Sequence, residues 1–206
     1  MLSVKPITRY VLIMLGVYAA WGGMYLLTAW IGELRGPAFD AALEIDRAIP
    51  YLPGFQYAYA LCYVMPFGLF LIDTRPAFLD RAYAAFIAAN AVAFVFFAAF
   101  PVQGPLRDAV PQSIGADNFF LMLVYSVDSR YNALPSLHVT NPWLVAFLSL
   151  ERWGWSAKSA GLLFVAILIS VATLFVRQHY VLDVLAGFAL AGVTVLVFRK
   201  RDDVMA

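Results

Sequence analysis

The chain has 206 residues, of which 63% are hydrophobic and only 13% are charged. A soluble domain is nearer half apolar and a quarter charged, so this composition disfavours a soluble domain, excludes a disordered chain and makes lipid the expected solvent. The formal net charge of +1 gives no broad basic field, which argues against nucleic acid as a partner. A single cysteine, Cys62, rules out an intrachain disulfide and cysteine-based zinc or iron–sulfur sites.

Six runs with almost no charge approach the roughly 20 residues that a helix needs to cross a bilayer. They predict an all-α, polytopic membrane protein with one domain over residues 1–206. The predicted spans cover about residues 10–32, 55–72, 82–100, 136–150, 159–176 and 180–198. Pro66 predicts a kink in the second span. The first run is too long for the apolar region of a signal peptide, so we expect it to be a span.

The positions of lysine and arginine in the loops predict the orientation of these spans. With the N-terminus inside, nine of the 14 basic residues lie inside and five lie outside. Because basic residues favour cytoplasmic loops, we expect both termini in the cytoplasm. The long loops at 33–54 and 101–130 then lie outside. The second loop holds an apolar patch, Asn118–Val127, that is too short to span and is expected to lie at the interface or to cap a site.

The first polar cluster leads into the fourth span, from Tyr131 to His138. Pro135 and Ser136 are typical of a helix start, where free N–H groups and the helix dipole attract an anion. The Ser136 hydroxyl adds a donor, and His138 stands within the first turn. An ordinary capped helix with one buried histidine has the same pattern.

The second polar cluster leads into the sixth span, from Arg177 to Asp183. His179 and Asp183 are four residues apart, so on a helix they share a face and can hydrogen-bond. An aspartate that holds one imidazole nitrogen makes the other more basic, so His179 is a candidate nucleophile or base. Arg177 suits a phosphate or carboxylate. A structural His–Asp pair that closes the end of a span is the alternative.

The predicted topology brings both clusters to the outside face, and with them Arg107, which follows a turn rich in proline and glycine. Arg107 also fits an ordinary solvated loop position. Two histidines, an orienting aspartate, a helix N-terminus and arginines describe phosphoryl transfer without a metal. His179 would attack phosphorus, and His138 would protonate the leaving oxygen and deprotonate the acceptor. Zinc or iron bound by two histidines and Asp183 is the competing chemistry, although Asp183 fits an orienting role at least as well.

Two motifs carry a family resemblance: Pro135-Ser136-x-His138 and, about forty residues later, His179-x-x-x-Asp183-x-x-x-Gly187. Together with the topology they resemble the type-2 phosphatidic acid phosphatase superfamily, membrane enzymes with six helices. The resemblance covers spans three to six well and the first two only in general layout. It implies His179 as nucleophile, Asp183 as its partner and His138 as acid and base. It also implies that Ser136 and nearby basic residues bind the phosphate.

The chain departs from the common pattern of that superfamily. The Lys-x6-Arg-Pro motif is absent, and Arg107 is the better equivalent of its arginine. Leu137 stands where glycine is usual, and Thr173 stands where arginine is usual, with Arg177 as a replacement charge. One resulting motif, Asn-x-x-Pro-Ser-Leu-His, begins at Asn132 and ends at His138. These motifs resemble those of the branch that contains inositol phosphorylceramide synthase. Members of this branch often pass a phospho-headgroup to another alcohol.

The resemblance therefore implies a lipid phosphotransferase, with a phospholipid or lipid phosphate as substrate, the bilayer as its environment and no cofactor. The active site is expected on the extracytoplasmic face. A phosphatase that hydrolyses phosphatidate or polyprenyl diphosphate is the alternative. A small transporter that uses the histidines and Asp183 as a proton relay is a third hypothesis, disfavoured because no repeat with broken helices is visible.

Overall fold

The computed structural model describes residues 4–36, 38–104, 118–129 and 131–199. Within them the chain is all-α, as predicted, apart from 3-10 turns at Pro53–Phe55 and Met65–Gly68 and two short strands, β1 (Phe39–Asp40) and β2 (Val102–Gln103). The helices are α1 (Val4–Arg35), α2 (Glu44–Ala48), α3 (Gln56–Val64), α4 (Leu69–Ile72), α5 (Pro76–Ala99), α6 (Phe119–Val127), α7 (Leu137–Trp153), α8 (Ala157–Phe175) and α9 (Val181–Phe198).

Five helical segments of the described chain are long and apolar enough to cross a membrane, namely Thr8–Arg35, Pro53–Ile72, Pro76–Ala99, Ala157–Phe175 and Val181–Phe198. They correspond to five of the six predicted spans. The sixth, predicted at 136–150, is helix α7, which has only 17 residues and carries Glu151 and Arg152 in its last turn. A membrane protein with several spans follows, while the count of six, the single domain and the cytoplasmic termini remain predictions.

The third span begins six residues earlier than predicted, because the charged residues Asp80 and Arg81 lie inside the helix. Helix α5 starts at Pro76, whose fixed φ suits a first turn. Its early charges have partners: the Tyr10 hydroxyl donates to Asp80 at 2.6 Å, and Arg81 pairs with Glu151 at 2.5 Å. In the second span, where a kink is predicted at Pro66, a 3-10 turn at Met65–Gly68 interrupts the α-helix, because Pro66 lacks a backbone donor.

Large apolar side chains cover the outside of these helices. Leu71, Leu196 and Val197 are each more than two-thirds exposed, and many leucine, valine and phenylalanine side chains resemble them. A soluble monomer rarely exposes apolar patches of this extent. The exterior of the bundle is therefore suited to lipid.

Helix α7 lies at the centre of the bundle, against α8 and α9. Its buried Leu144, Val145 and Leu148 pack in one core with Ala166 and Ile169 of α8. Helix α1 packs on α5, and its Tyr18 hydroxyl donates to the Tyr63 carbonyl at 2.7 Å, which joins it to α3. Apolar packing around α7 thus fixes the directions in which its first-turn side chains point.

Ion pairs gather at one end of the bundle. Besides the Arg81–Glu151 pair, Asp73 lies 2.6 Å from Arg75 and 2.9 Å from Arg152. The hydrogen bond from Arg75, together with that from Arg152, holds the pKa of Asp73 well below its usual range. Helices α7 and α9 both end near these charges and begin at the opposite end, where the two polar clusters lie.

The two predicted outside loops meet at that opposite end. Strand β1 pairs in parallel with β2, and the Phe39 N–H donates to the Pro101 carbonyl at 3.0 Å. The apolar patch of the second loop forms helix α6, which buries Leu121 and Val124 against the bundle and exposes Phe119. Helix α6 thus packs on the bundle with one face and exposes an apolar face, which fits both expected positions.

Candidate active site

The starts of helices α7 and α9 lie side by side. The Ser136 N–H donates to the Asp183 carbonyl at 3.1 Å, and the Thr140 hydroxyl bonds the carbonyls of Ser136 and Gly187 at 2.8 and 3.2 Å. A Cβ atom on Gly187 would lie 2.6 Å from the Ser136 carbonyl oxygen. Glycine is required here because the backbone of α7 occupies the space of a side chain. This close approach brings the two polar clusters together.

The two histidines and Asp183 form one chain of hydrogen bonds. His138 Nδ1 lies 3.0 Å from His179 Nε2, and His179 Nδ1 lies 3.4 Å from Asp183 Oδ2. The ionised carboxylate only accepts, so we assign the Nδ1 proton of His179 to that bond. His179 Nε2 then carries the lone pair and accepts from His138 Nδ1. The nitrogen that sequence analysis assigns as the nucleophile is thus the unprotonated one.

Two tyrosines that sequence reasoning did not single out complete this chain. The hydroxyls of Tyr59 and Tyr63 lie 3.0 and 3.3 Å from His138 Nε2. They stand four residues apart on α3, so they share one helix face. Two hydroxyls at this spacing inside an apolar span are the sequence signal that could have indicated them. Phe120 of α6 packs 6.4 Å from the Tyr59 ring and 6.2 Å from the Tyr63 ring, measured between centroids.

Asp183 is fully buried and stabilises the first turn of α9. Its Oδ2 accepts the Tyr180 N–H at 2.9 Å, while its Oδ1 has no partner among the described residues. Asp46 of α2, buried with 3% exposure, accepts the Val181 N–H at 2.8 Å. Two carboxylates at a helix N-terminus are favourable because the helix dipole is positive there. Asp46, like Tyr59 and Tyr63, has no role in the prediction from sequence.

Arg177 is bound to the loop around α2 in this structure. Its terminal nitrogens donate to the carbonyls of Asp46 at 3.1 Å and Ile49 at 2.6 Å, and its buried Nε has no partner among the described residues. Its φ of 52° lies in the left-handed region, which costs a residue with a Cβ about 1–3 kcal/mol. The guanidinium therefore holds α2 against the start of α9, and its predicted contact with phosphate stays a prediction.

Ser136 is the N-cap residue of α7, but its hydroxyl does not make the capping bond that sequence analysis expects. It is fully buried, and its Oγ has no partner in the described part of the chain. The side-chain amide of Gln178, next to His179, is also buried. Neither its Nε2 nor its Oε1 has a partner among the described residues. Buried polar atoms without partners are costly. A ligand with phosphate oxygens would accept from the Ser136 hydroxyl and the Gln178 Nε2–H groups, whereas Gln178 Oε1 needs a donor. Burial of this amide, which the sequence does not reveal, is what indicates Gln178.

Asn132 and Arg107 are the remaining predicted phosphate ligands. Asn132 is buried and donates to the Tyr25 carbonyl of α1 at 2.8 Å, with its Oδ1 unpartnered among the described residues. Arg107 lies outside the described residues. The roles of both residues stay predictions. The described residues include no group of three or more His, Cys, Asp or Glu side chains that could hold a metal ion.

A family model of the PAP2 superfamily matches residues 43–197, which is more than half of the chain and includes both histidines, Asp183 and Gly187. The chain belongs to the PAP2 superfamily. The resemblance of its two motifs is thereby confirmed at the level of the superfamily. No curated protein and no solved structure gave a significant match.

Membership of the PAP2 superfamily indicates a phosphatase- or phosphotransferase-type activity on lipid-related substrates. The match begins at residue 43, just before α2, and therefore also includes the second predicted span, while most of α1 precedes it. An apolar cavity of about 730 Å³ reaches His138 from between α1, α3, α5 and α7. Its volume lies within the range of roughly 300–1,000 Å³ that is typical of small-molecule sites. This PAP2 protein thus has a polar centre next to an apolar chamber.

Proposed function

We propose that the protein is a metal-independent membrane lipid phosphotransferase that acts through a phosphohistidine. It moves a phosphate or phospho-headgroup from one lipid to the hydroxyl of another at the outer membrane face, as in the inositol phosphorylceramide synthase branch that its motifs resemble. The observation that carries the proposal is the continuous chain from Tyr59 through His138 and His179 to Asp183.

In the first half of the reaction the lone pair of His179 Nε2 attacks phosphorus. A P–N bond forms and the P–O bond to the donor lipid breaks. The leaving oxygen takes the Nδ1 proton of His138 in its protonated form. Because phosphorus must lie between the two rings, the 3.0 Å bond between them opens when the substrate binds. Asp183 accepts a hydrogen bond from the Nδ1–H of His179, so the proton stays on the ring. The carboxylate also stabilises the positive charge that develops on that ring.

In the second half His138 Nδ1 takes the proton of the acceptor hydroxyl. The acceptor oxygen attacks phosphorus, the P–N bond breaks, and its electron pair returns to His179 Nε2. A tyrosine hydroxyl both donates and accepts, so Tyr59 can bond His138 Nε2 with or without its proton. Negative charge on the transferring group is stabilised by the Ser136 hydroxyl, the Gln178 amide, free N–H groups of the helix starts, and Arg107 from the loop.

Burial supports transfer over hydrolysis. His138 and His179 are each only 6% exposed, and α6 packs over the tyrosines that hold His138. A dry site favours a bound alcohol over water as the acceptor. Hydrolysis of a lipid phosphate is the alternative outcome, because both reactions share the same intermediate.

The proposal includes six spans, with α7 as the fourth, and both termini in the cytoplasm. Support comes from the distribution of charge. Arg75, Arg81 and Arg152 lie at the end of the bundle opposite to the histidines. Since basic loops stay in the cytoplasm, that end is inside and the site is outside.

Labelling of the purified protein tests the intermediate. The full chain in detergent is incubated with phosphatidate, phosphatidylinositol or phosphatidylglycerol that carries a labelled phosphate. We expect a label that is labile in acid and stable in base, on wild-type protein and not on His179→Ala. The exposed Glu44→Gln serves as a control and should label as the wild type does. A label that survives in His179→Ala, or none with any donor, would contradict the proposal.

Product analysis by mass spectrometry then separates transfer from hydrolysis. Each donor is supplied with and without ceramide or diacylglycerol as acceptor. A new phospholipid formed from the acceptor supports the transferase, and free phosphate as the sole product supports the phosphatase. Turnover should persist in a chelator. Loss on chelation that zinc restores would favour the competing metal site.

A further inference from the structure

The cavity beside His138 is lined mostly by apolar side chains. Its walls carry apolar side chains from four helices, including Met14, Val17 and Phe94. Its wall residues Leu27, Ile87 and Val95 are also exposed on the outside of the bundle, so the cavity opens sideways, toward the face that is suited to lipid. An apolar space with such an opening accepts hydrocarbon chains from the bilayer.

One polar pair interrupts the apolar wall. Asn90 of α5 donates to Asn141 Oδ1 at 2.9 Å and to the Phe86 carbonyl at 2.8 Å. Asn141 of α7 returns a long bond of 3.4 Å to Asn90 Oδ1. Both asparagines line the cavity. Burying carboxamides in an apolar environment costs free energy, which apolar residues in the same space would avoid. Their presence at this depth therefore indicates a function.

The pair keeps unused hydrogen-bonding capacity. An asparagine amide has two N–H donors, and within the described chain only one donor of Asn141 has a partner, at 3.4 Å. The Asn141 side chain is only partly buried, so the spare N–H is accessible from the cavity. Trp21, another wall residue, has an indole N–H without a partner among the described residues. The cavity therefore offers hydrogen-bond donors, which favour a lipid that carries a hydrogen-bond acceptor among its apolar chains.

The position of the pair fixes which part of a lipid reaches it. Asn141 follows His138 by three residues, so it lies on the same helix face, about 4.5 Å further along the axis. In a phospholipid the carbonyl at the root of the acyl chain lies a few covalent bonds from phosphorus. A polyprenyl phosphate carries only hydrocarbon at that distance. At this short spacing an acyl lipid offers a carbonyl acceptor to Asn141, whereas a polyprenyl phosphate offers none.

We infer that the Asn90–Asn141 pair binds the ester or amide carbonyl at the root of an acyl chain, which makes acyl lipids the substrate class and excludes polyprenyl phosphates. The inference rests on the proposed function, since it places the phosphorus at His179. Asn141 Nδ2 donates to the carbonyl oxygen, and the chain extends into the apolar cavity.

Binding of matched lipids tests this without turnover. The His179→Ala protein is titrated with dipalmitoyl phosphatidate, with its dihexadecyl ether analogue, which lacks the carbonyls, and with a polyprenyl phosphate, and lipid adducts are measured by native mass spectrometry. We expect the ester to bind about fivefold to tenfold more tightly than the ether, which is what one hydrogen bond supplies. The polyprenyl phosphate should bind no better than the ether.

Substitution of the pair supplies the second measurement. Adding Asn141→Leu to His179→Ala should lower the preference for the ester to less than twofold. Met24→Leu, in the same cavity wall, should keep it. Equal binding of ester and ether, tighter binding of the polyprenyl phosphate, or an unchanged preference in Asn141→Leu would overturn the inference. The comparison of ester and ether uses the natural asparagines, so it decides the inference even if Asn141→Leu does not fold.

Failure of this inference can be distinguished from failure of the proposed function. If the phosphohistidine label is absent but the ester preference exists and depends on Asn141, the catalytic proposal fails and the lipid site stands. If the label forms but ester and ether bind equally, the catalytic proposal stands and the lipid site fails.

Discussion

His138 Nδ1 and His179 Nε2 lie 3.0 Å apart, although 41 residues separate them in the chain. Each ring is held at its other nitrogen, His179 by Asp183 and His138 by Tyr59. The two holders differ chemically, since a carboxylate only accepts a proton whereas a hydroxyl accepts and donates. His179 is therefore fixed in one tautomer, which suits a nucleophile, and His138 Nε2 keeps a hydrogen-bond partner with or without a proton, which suits an acid and base.

Asp183→Asn should slow the reaction strongly without unfolding the chain. An amide N–H in place of the carboxylate favours the wrong tautomer of His179, and we expect kcat to fall roughly 10²–10⁴-fold. Single-turnover labelling at saturating donor measures this, with circular dichroism as the control for folding. A labelling rate within twofold of the wild type would refute the orienting role of Asp183.

Tyr59→Phe should lower kcat about tenfold with little change in KM, because the hydroxyl contacts His138 and not the lipid. Tyr63→Phe should have a smaller effect, since its hydroxyl is 3.3 Å away instead of 3.0 Å. Tyr57→Phe on the same helix is the matched control, because Tyr57 is 69% exposed. Steady-state kinetics of the three variants checks the order. Equal losses in Tyr57→Phe and Tyr59→Phe would show that the effect is not specific to His138.

Gly187→Ala should push α9 away from α7 and disrupt the site. The new Cβ would lie 2.6 Å from the Ser136 carbonyl oxygen, and relief of such a clash costs typically about 1–3 kcal/mol. We expect a lower melting temperature and loss of most of the activity. Gly192→Ala on the same helix is the control, since its Cβ would contact Phe147 at an ordinary 3.7 Å. Equal melting temperatures and equal activities of the two variants would show that the close approach at Gly187 is not needed for function.

Asp73→Asn should lower stability at neutral pH and not at strongly acidic pH. The pKa of Asp73 is lowered in the fold, so its contribution is fully present above the pKa of the unfolded chain and is lost as the pH falls through the folded pKa. Because Arg75 and Arg152 are substantially exposed, the loss should be near 1 kcal/mol, about 2–4 °C in melting temperature. Thermal melts at pH 7 and at successively lower pH values measure the gap in melting temperature between variant and wild type. A gap that widens toward acidic pH would contradict the sign.

The sequence predicts the helices well and their ends less well. Uncharged runs coincide with five long apolar helices, because the cost of a charge in lipid is a local property of the chain. An uncharged run can begin only after Asp80 and Arg81, so the sequence predicts the start of the third span six residues too late. Their partners, Tyr10 and Glu151, come from other helices and are visible only after folding.

The sequence by itself determined the solvent, the helical class and the pairing of His179 with Asp183, since composition and a separation of four residues act over short distances. The structure corrects the reason for that pairing: His179 lies just before Tyr180, the N-cap residue of α9, so the turn that caps the helix brings it to Asp183 and not a shared helix face. The sequence also suggested that both histidines lie at one end of the bundle. The tertiary structure decided the rest: the bond between the histidines, the tyrosines behind His138, the anchoring of Arg177 to α2, and the Asn90–Asn141 pair in the cavity. These contacts join helices that are far apart in sequence, and only the packing of whole helices around α7 sets their distances.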